Sequence, residues 1–252
     1  MMKSRKYMAG LVFGAALMYI PTTAFILQSK SQENTPAVIR FVQPADQGKF
    51  SWNSLINYAI AVTDKEDGSS DYNEIPAGEV LLKVQYLADS SKLKNQLASL
   101  ARENREVPAL TYLMQSNCFT CHAVKNKLIG PAFELISKRY PHTELSAGQL
   151  VQKVIHGSTG VWGSTPMPPH PDISQEQLKE IVLWILTRSA DPDICYYPGL
   201  EGAFRTREYP GKSGNKGVYL LTASYTDKGL KNTPHSSKRV SKTILLKPAG
   251  LP

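Results

Sequence analysis

The 252-residue sequence predicts a multidomain chain: a small all-α domain, and an all-β sandwich built from the segments on either side of it. Three observations carry this. A C-x-x-C-H pentapeptide at 118–122 lies among helical apolar stripes. Apolar alternation of period two occupies residues 37–87 and returns after residue 200. A short apolar run follows three basic residues at the start of the chain. Composition narrows the field further. With 42% hydrophobic and 20% charged residues, the chain is too apolar for wholesale disorder. Seventeen Gly and 17 Pro without a period exclude a collagen-like chain, and three Cys cannot staple a disulfide scaffold.

The first element is an export signal. Lys3, Arg5 and Lys6 precede an uncharged run from Tyr7 to Gln28, with its apolar heart at Met8 to Ile20. Thr22 and Ala24 are the small residues of a cleavage site, so residues 1–24 read as a signal peptide. The alternative is an N-terminal membrane anchor, since the 20 residues from Met8 to Leu27 suffice to cross a bilayer. Either reading places the rest of the chain outside the cytoplasm, periplasmic or held at the inner membrane.

Residues 35–89 read as the first half of the sandwich. Ala37 to Val42 is a short strand; Ile56, Tyr58, Ile60 and Val62 share one face of a second, and Val80, Leu82, Val84 and Tyr86 one face of a third. Gly68 and its Asp/Ser neighbours make the turn. Asp64, Glu66, Asp67 and Asp71 carry the oxygen donors that calcium takes, but such a run is more often a solvated turn. Residues 90–105 form a helical linker with Leu93, Leu97 and Leu100 apolar.

Residues 106–190 form the helical domain. Pro108 starts a helix carrying Leu110, Leu113 and Met114, and Met114 reads as core. Cys118-Phe119-Thr120-Cys121-His122 is the attachment pattern of c-type haem. Two thiols three residues apart on one helical turn reach the two vinyl groups of one haem edge, and His122 follows to face the iron. A thioredoxin-like pair would need a βαβ setting, and a zinc site a second Cys/His pair; the remaining Cys195 is isolated and reads as a small buried hydrophobe. Residues 160–171, GVWGSTPMPPHP, read as an irregular loop too rich in breakers for helix or strand. Met167 at its centre suits a thioether ligand held by prolines, with His142, His156 and His170 as rivals. Ser174 and Gln177 make a capping box, and Leu178, Ile181, Val182, Ile185 and Leu186 a helical stripe, with Trp184 as core.

Four pieces in order, CFTCHAVKNKLIGPAF, LVQKVIHGSTGVWG, PMPP and SQEQLKEIVLWILTR, make residues 110–188 resemble a small bacterial class I cytochrome c of the periplasmic kind that donates to nitrite reductases and oxidases. The resemblance implies one covalent haem c on Cys118 and Cys121, with His122 and Met167 as axial ligands of the iron. It further implies that the Pro131 carbonyl accepts the imidazole N–H, that Trp162 donates to a haem propionate, and that Lys153 takes the place of a propionate-binding Arg. His170 stands where relatives often have Asn.

Residues 196–248 supply the second half of the sandwich, with strands at Leu200 to Arg207, Val218 to Tyr225 and Val240 to Leu246, after an outgoing linker at residues 189–198. Three strands in each flank leave a sheet with no second layer, whereas six together approach a small sandwich. PADQGKFSWNSLINYAIAVTDKEDG and GVYLLTASYTDKG resemble the opening and penultimate strands of an immunoglobulin-like or PKD-like module. The alternative is two independent β segments. Similar cytochrome-plus-sandwich regions occur at the ends of some quinoprotein dehydrogenases.

The net charge of +8 is uneven: +4 over residues 1–30, −3 over 31–99, zero over 100–195 and +7 over 196–252. No nucleic-acid motif accompanies the basic ends. The functional expectation is therefore electron transfer, since His/Met ligation leaves no substrate position on the iron. The partners would be periplasmic redox proteins: a dehydrogenase as donor, an oxidase or reductase as acceptor. The alternatives are a haem enzyme of peroxidase type and a glycan- or protein-binding module with an accessory haem.

Overall fold

The computed structural model describes residues 33–106, 108–211, 217–233 and 236–249, with residues 100–106 described by backbone alone. The export signal or anchor at residues 1–24 and the Leu100 side chain lie outside what is described. Among the described residues no helix is long and apolar enough to cross a membrane.

The first flank contributes β1 (Val38–Gln43), β2 (Gly48–Phe50), β3 (Leu55–Asp64), β4 (Gly68–Ser69) and β5 (Val80–Leu87). Then come α1 (Leu93–Glu106), α2 (Pro108–Gln115), α3 (Cys118–Cys121), α4 (Phe133–Arg139) and α5 (Glu144–His156), the short strands β6 (Ser158–Gly160) and β7 (Gly163–Met167), and α6 (Gln175–Arg188). The second flank adds β8 (Ile194–Pro198), β9 (Glu201–Arg205), β10 (Val218–Thr226) and β11 (Arg239–Pro248).

Strands from the two flanks are hydrogen-bonded to one another. In one sheet β3 pairs with β1, β4 and, between residues 142 to 150 apart in the chain, β9 (Leu55↔Arg205 to Ala59↔Glu201). The other has the order β2-β11-β10-β5-β8, antiparallel except for the β2–β11 pair. One apolar core lies between the two sheets. Ile60, Val62 and Phe204 from the first meet Val84, Leu221, Tyr225 and Leu246 from the second. The alternation read in β3 and β5 is the half that faces this core.

The opposite face of the larger sheet is covered as well. Val218, Leu220 and Leu245 pack with Leu93 of α1. Leu81 of β5 and Tyr196 of β8 join the helical core formed by Leu113, Phe133, Leu178 and Trp184. Arg239 of β11 ties the two parts together, its guanidinium donating to Thr111 Oγ1 of α2 (3.0 Å) and Ser224 Oγ of β10 (2.9 Å). A strand covered on both faces cannot alternate, so β10 is buried at eight of its nine positions.

Several expectations are corrected. The outgoing linker does not extend to residue 198: β8 begins at Ile194, two residues before the expected half-domain, because Ile194–Pro198 pairs with Leu81–Gln85. The strand expected at Leu200 to Arg207 is Glu201–Arg205, and the described β strands outnumber the six foreseen. The 160–171 stretch is not all irregular. Gly160 (φ 93°) and Gly163 (φ 120°) turn the chain so that β6 and β7 form a ribbon ending in a Ser158↔Met167 pair. The linker helix differs in detail, since Leu97 remains exposed.

Candidate functional site

The pentapeptide sits where the sequence forces a tight local structure. Asn117 adopts a left-handed conformation (φ 54°), ending α2 and starting the single turn of α3. That turn carries Cys118 and Cys121 on one side of a cavity, and the chain leaves it in extended conformation at His122. The His122 backbone N–H donates to the Cys118 carbonyl at 3.0 Å.

His122 is buried, and its ring is fixed from three directions. The Pro131 carbonyl lies 2.7 Å from Nδ1. A carbonyl only accepts, so Nδ1 carries the proton and the Nε2 lone pair is left free. Phe133 stacks on the ring at 5.3 Å and 14°. Gly130 closes the third side: a Cβ there would fall 2.4 Å from His122 Cε1. Burial pulls the imidazole pKa below its ordinary value, opposed by the bond to Pro131 and reinforced by His170. The neutral form, able to act as a ligand, is favoured. Burial also pushes the Cys118 thiol up to about 11.

The cavity in front of this ring has a volume of about 370 Å³ and is lined mainly by apolar side chains, among them Leu113, Ile136, Val154, Leu178 and Ile185. Met167 reaches its lining from β7, on the side chain's own ribbon rather than from a helix. The ribbon approaches α5 closely because Gly157 (φ 78°) follows that helix; a Cβ there would sit 2.7 Å from the Met167 carbonyl. The His170 N–H, bonded to the Val154 carbonyl at 3.0 Å, holds the following turn. Lys153 and Trp162 line the same cavity. The Lys153 ammonium lies 3.4 Å from the Tyr140 hydroxyl.

All seven residues singled out in the sequence, Cys118, Cys121, His122, Pro131, Lys153, Trp162 and Met167, therefore line one cavity. Of the rival histidines only His170 does so among the described residues; His142 is bound to Ser137 instead (3.1 Å). Two features escaped sequence reading. Arg139 places its guanidinium 5.1 Å from the centre of the Trp162 ring, through a spacing of 23 residues that gives no local signal. Gly130, visible only as the Gly of Gly130-Pro131, proves to be the position that leaves room for the imidazole.

These residues fit a porphyrin: two thiols on one turn, an imidazole with a free nitrogen, a thioether, and apolar walls between them. The sequence comparisons agree. The family model described as Cytochrome c matches residues 111–189. Cytochrome c-552 of Nitrosomonas europaea is 41% identical over 73 residues, covering 29% of this chain and 71% of that protein. Cytochrome c-551 of Ectopseudomonas mendocina is 40% identical over 70 residues, covering 28% and 84%. The crystal structure of wild-type Nitrosomonas europaea cytochrome c552 is 39% identical, covers 30% of this chain and 94% of that one, and has a TM-score of 0.29. The cofactor of such relatives is covalent haem c, and the Cys118–His122 pentapeptide is consistent with it. With residues 111–189 as its signature, the chain belongs to the cytochrome c family.

Proposed function

We propose that this protein is an exported monohaem electron carrier and not an enzyme. In this reading Cys118 and Cys121 would hold the haem by thioethers, and His122 and Met167 would be the two ligands of its iron. Haem supplies one-electron chemistry; the chain's own residues bind and orient it, exclude water and set its potential. The observation that carries the proposal is that His122, Met167 and both cysteines line one largely apolar cavity. Two protein ligands leave no position for a substrate on the iron, and a thioether with burial raises the potential.

The supporting residues have defined work. The Pro131 carbonyl fixes the tautomer of His122 and raises its basicity. Trp162 would donate its indole N–H to a propionate, with Lys153 as the nearby cation. Arg139, over the Trp162 ring, holds that indole in place. Ile129 (58% exposed) and Val161 (37% exposed) give the cavity mouth an apolar rim on which a redox partner can dock. The chemistry of such a partner is that of a periplasmic dehydrogenase on the donor side and an oxidase or reductase on the acceptor side.

The β flanks are read as one immunoglobulin-like sandwich interrupted by the cytochrome domain. The shared core and the β3–β9 and β5–β8 pairs support this. It would present the haem at a fixed orientation to the partner. The test is spectroelectrochemical titration of the haem-loaded protein, together with exposure of the ferrous form to carbon monoxide. A one-electron transition and no carbon monoxide uptake support the carrier; rapid uptake, or turnover of peroxide, overturns it.

A further inference from the structure

We propose that the corner where residues 33–35, the β3–β4 turn and the end of β10 meet is a calcium site, with Asn34, Asp64, Glu66, Asp67 and Asp227 supplying the oxygen ligands. An acidic cluster alone would not justify this. What does is a set of bare oxygens: Asn34 Oδ1, Asp64 Oδ2, Glu66 Oε1 and Asp227 Oδ2 are all buried and have no hydrogen-bond partner among the described residues. Asn34 and Asp64 are 4% exposed and Asp227 is 2% exposed. Buried polar groups are nearly always satisfied, and buried charges are paired or bound to a metal.

Each of these side chains is anchored by its other polar atom. Asp64 Oδ1 accepts the backbone N–H groups of Glu66 and Asp67, both at 2.8 Å. Asp227 Oδ1 accepts from the Lys238 and Gly229 backbones (2.8 and 3.0 Å) and from Asn34 Nδ2 (2.9 Å). Glu66 Oε2 accepts from the Thr35 backbone at 3.4 Å. The Tyr225 hydroxyl and the Lys228 N–H both donate to Asp67 Oδ2, at 2.7 and 2.8 Å, tying the turn to the end of β10. Asp67 and Asp227 are both close enough to act on Asp64 electrostatically. Of the neighbouring ammonium groups, Lys238 is held by the Asn34 carbonyl and Glu33, and Lys228 lies toward Glu79.

The donor set is hard oxygen only, mixes carboxylates with an amide and comes from three separate stretches of chain, which suits calcium better than the small, strictly octahedral magnesium ion. Among the described residues no three His, Cys, Asp or Glu side chains stand, as they are, in a group that could hold a metal ion. The cation would draw the carboxylates together, with Asn34 completing the shell. Asp71, the fourth member expected from sequence, is exposed and outside the group. Asn34 and Asp227, 193 residues apart, replace it. Since β4 lies in one sheet and β10 in the other, the ion would fasten the two sheets at one end.

The test uses the haem-loaded full chain, stripped with chelator and titrated with calcium chloride by calorimetry, with tyrosine-sensitised terbium emission as a second readout next to Tyr225. One calcium per chain is expected. At about 100 times the dissociation constant Tm should rise by roughly 5–10 °C, with the haem bands unmoved. Asp227→Asn should weaken calcium at least tenfold. If that variant fails to fold, Glu66→Gln, at a less buried position, should do the same. Absence of stoichiometric uptake at millimolar calcium overturns the proposal. So does unchanged affinity in Glu66→Gln, or equal affinity for magnesium.

Discussion

Replacing Gly130 by alanine tests how the proximal imidazole is held. The new Cβ would lie 2.4 Å from His122 Cε1 and 2.8 Å from both Nδ1 and Nε2. Ordinary contact begins near 3.5 Å, so ring and backbone must separate by about 1 Å. Neither retreats freely. The Gly130 N–H is bound to the Cys121 carbonyl at 2.8 Å, and the far face of the ring rests on buried Phe133. The 2.7 Å bond from Nδ1 to Pro131 is then stretched or lost. Overpacking costs about 1–3 kcal/mol and the weakened hydrogen bond about 1 kcal/mol more. Together these lower Tm by roughly 5–15 °C in a chain of this size. A less basic imidazole also favours the ferrous state, raising the midpoint potential by about 40 mV for a 1 kcal/mol difference. Thermal unfolding followed at the haem band and a redox titration read both effects. Gly148→Ala is the control: it lies exposed within α5 with open space around it, and should gain about 0.5–1 kcal/mol. A Gly130→Ala protein with wild-type Tm and potential would mean that Gly130 does not hold the imidazole in place.

Met167→Ala should open the iron to carbon monoxide and lower the potential by on the order of 100 mV, whereas His170→Ala should leave both unchanged; an optical redox titration of each variant decides. Leu221→Ala, at a fully buried position between the sheets, should cost about 2–5 kcal/mol in denaturant unfolding and leave the haem spectrum of the folded protein intact. At Glu134 burial pulls the carboxyl pKa upward, but Lys138 and Lys125 outweigh it and hold the group below its usual value. Its contribution, about 0.5 kcal/mol for so accessible a group, is therefore present above pH 4.5 or so and fades as pH falls through the folded pKa. Glu134→Gln should remove that part of the acid-side slope, as measured by stability against pH.

The helical third was legible because its signals are local. The pentapeptide spans one turn, and the Ser174–Gln177 capping box and the Leu178-to-Leu186 stripe lie within one helix, where the structure reproduces both. The β body was less legible where its environment is two-sided. In β10 the outer face of Val218 and Leu220 is covered by α1, so alternation vanishes. In β8, Tyr196 faces the helical core while Tyr197 packs against the intersheet core, and nothing in a five-residue run announces a strand. The β6–β7 ribbon was hidden because glycines at 160 and 163, read as breakers, are what make its turn. Contacts between segments far apart in the chain, such as Asn34 with Asp227, have no sequence spacing to reveal them.

In the proposed reading His122 and Met167 would both ligate the haem iron. Proton NMR of the ferrous, haem-loaded protein reads this directly, because a methyl group held over the porphyrin is shifted far upfield by its ring current. A three-proton resonance in that region, absent from Met167→Ala and present in His170→Ala, is the predicted result. A ferrous spectrum without it, or one in which it survives Met167→Ala, would mean that Met167 is not a ligand of the iron.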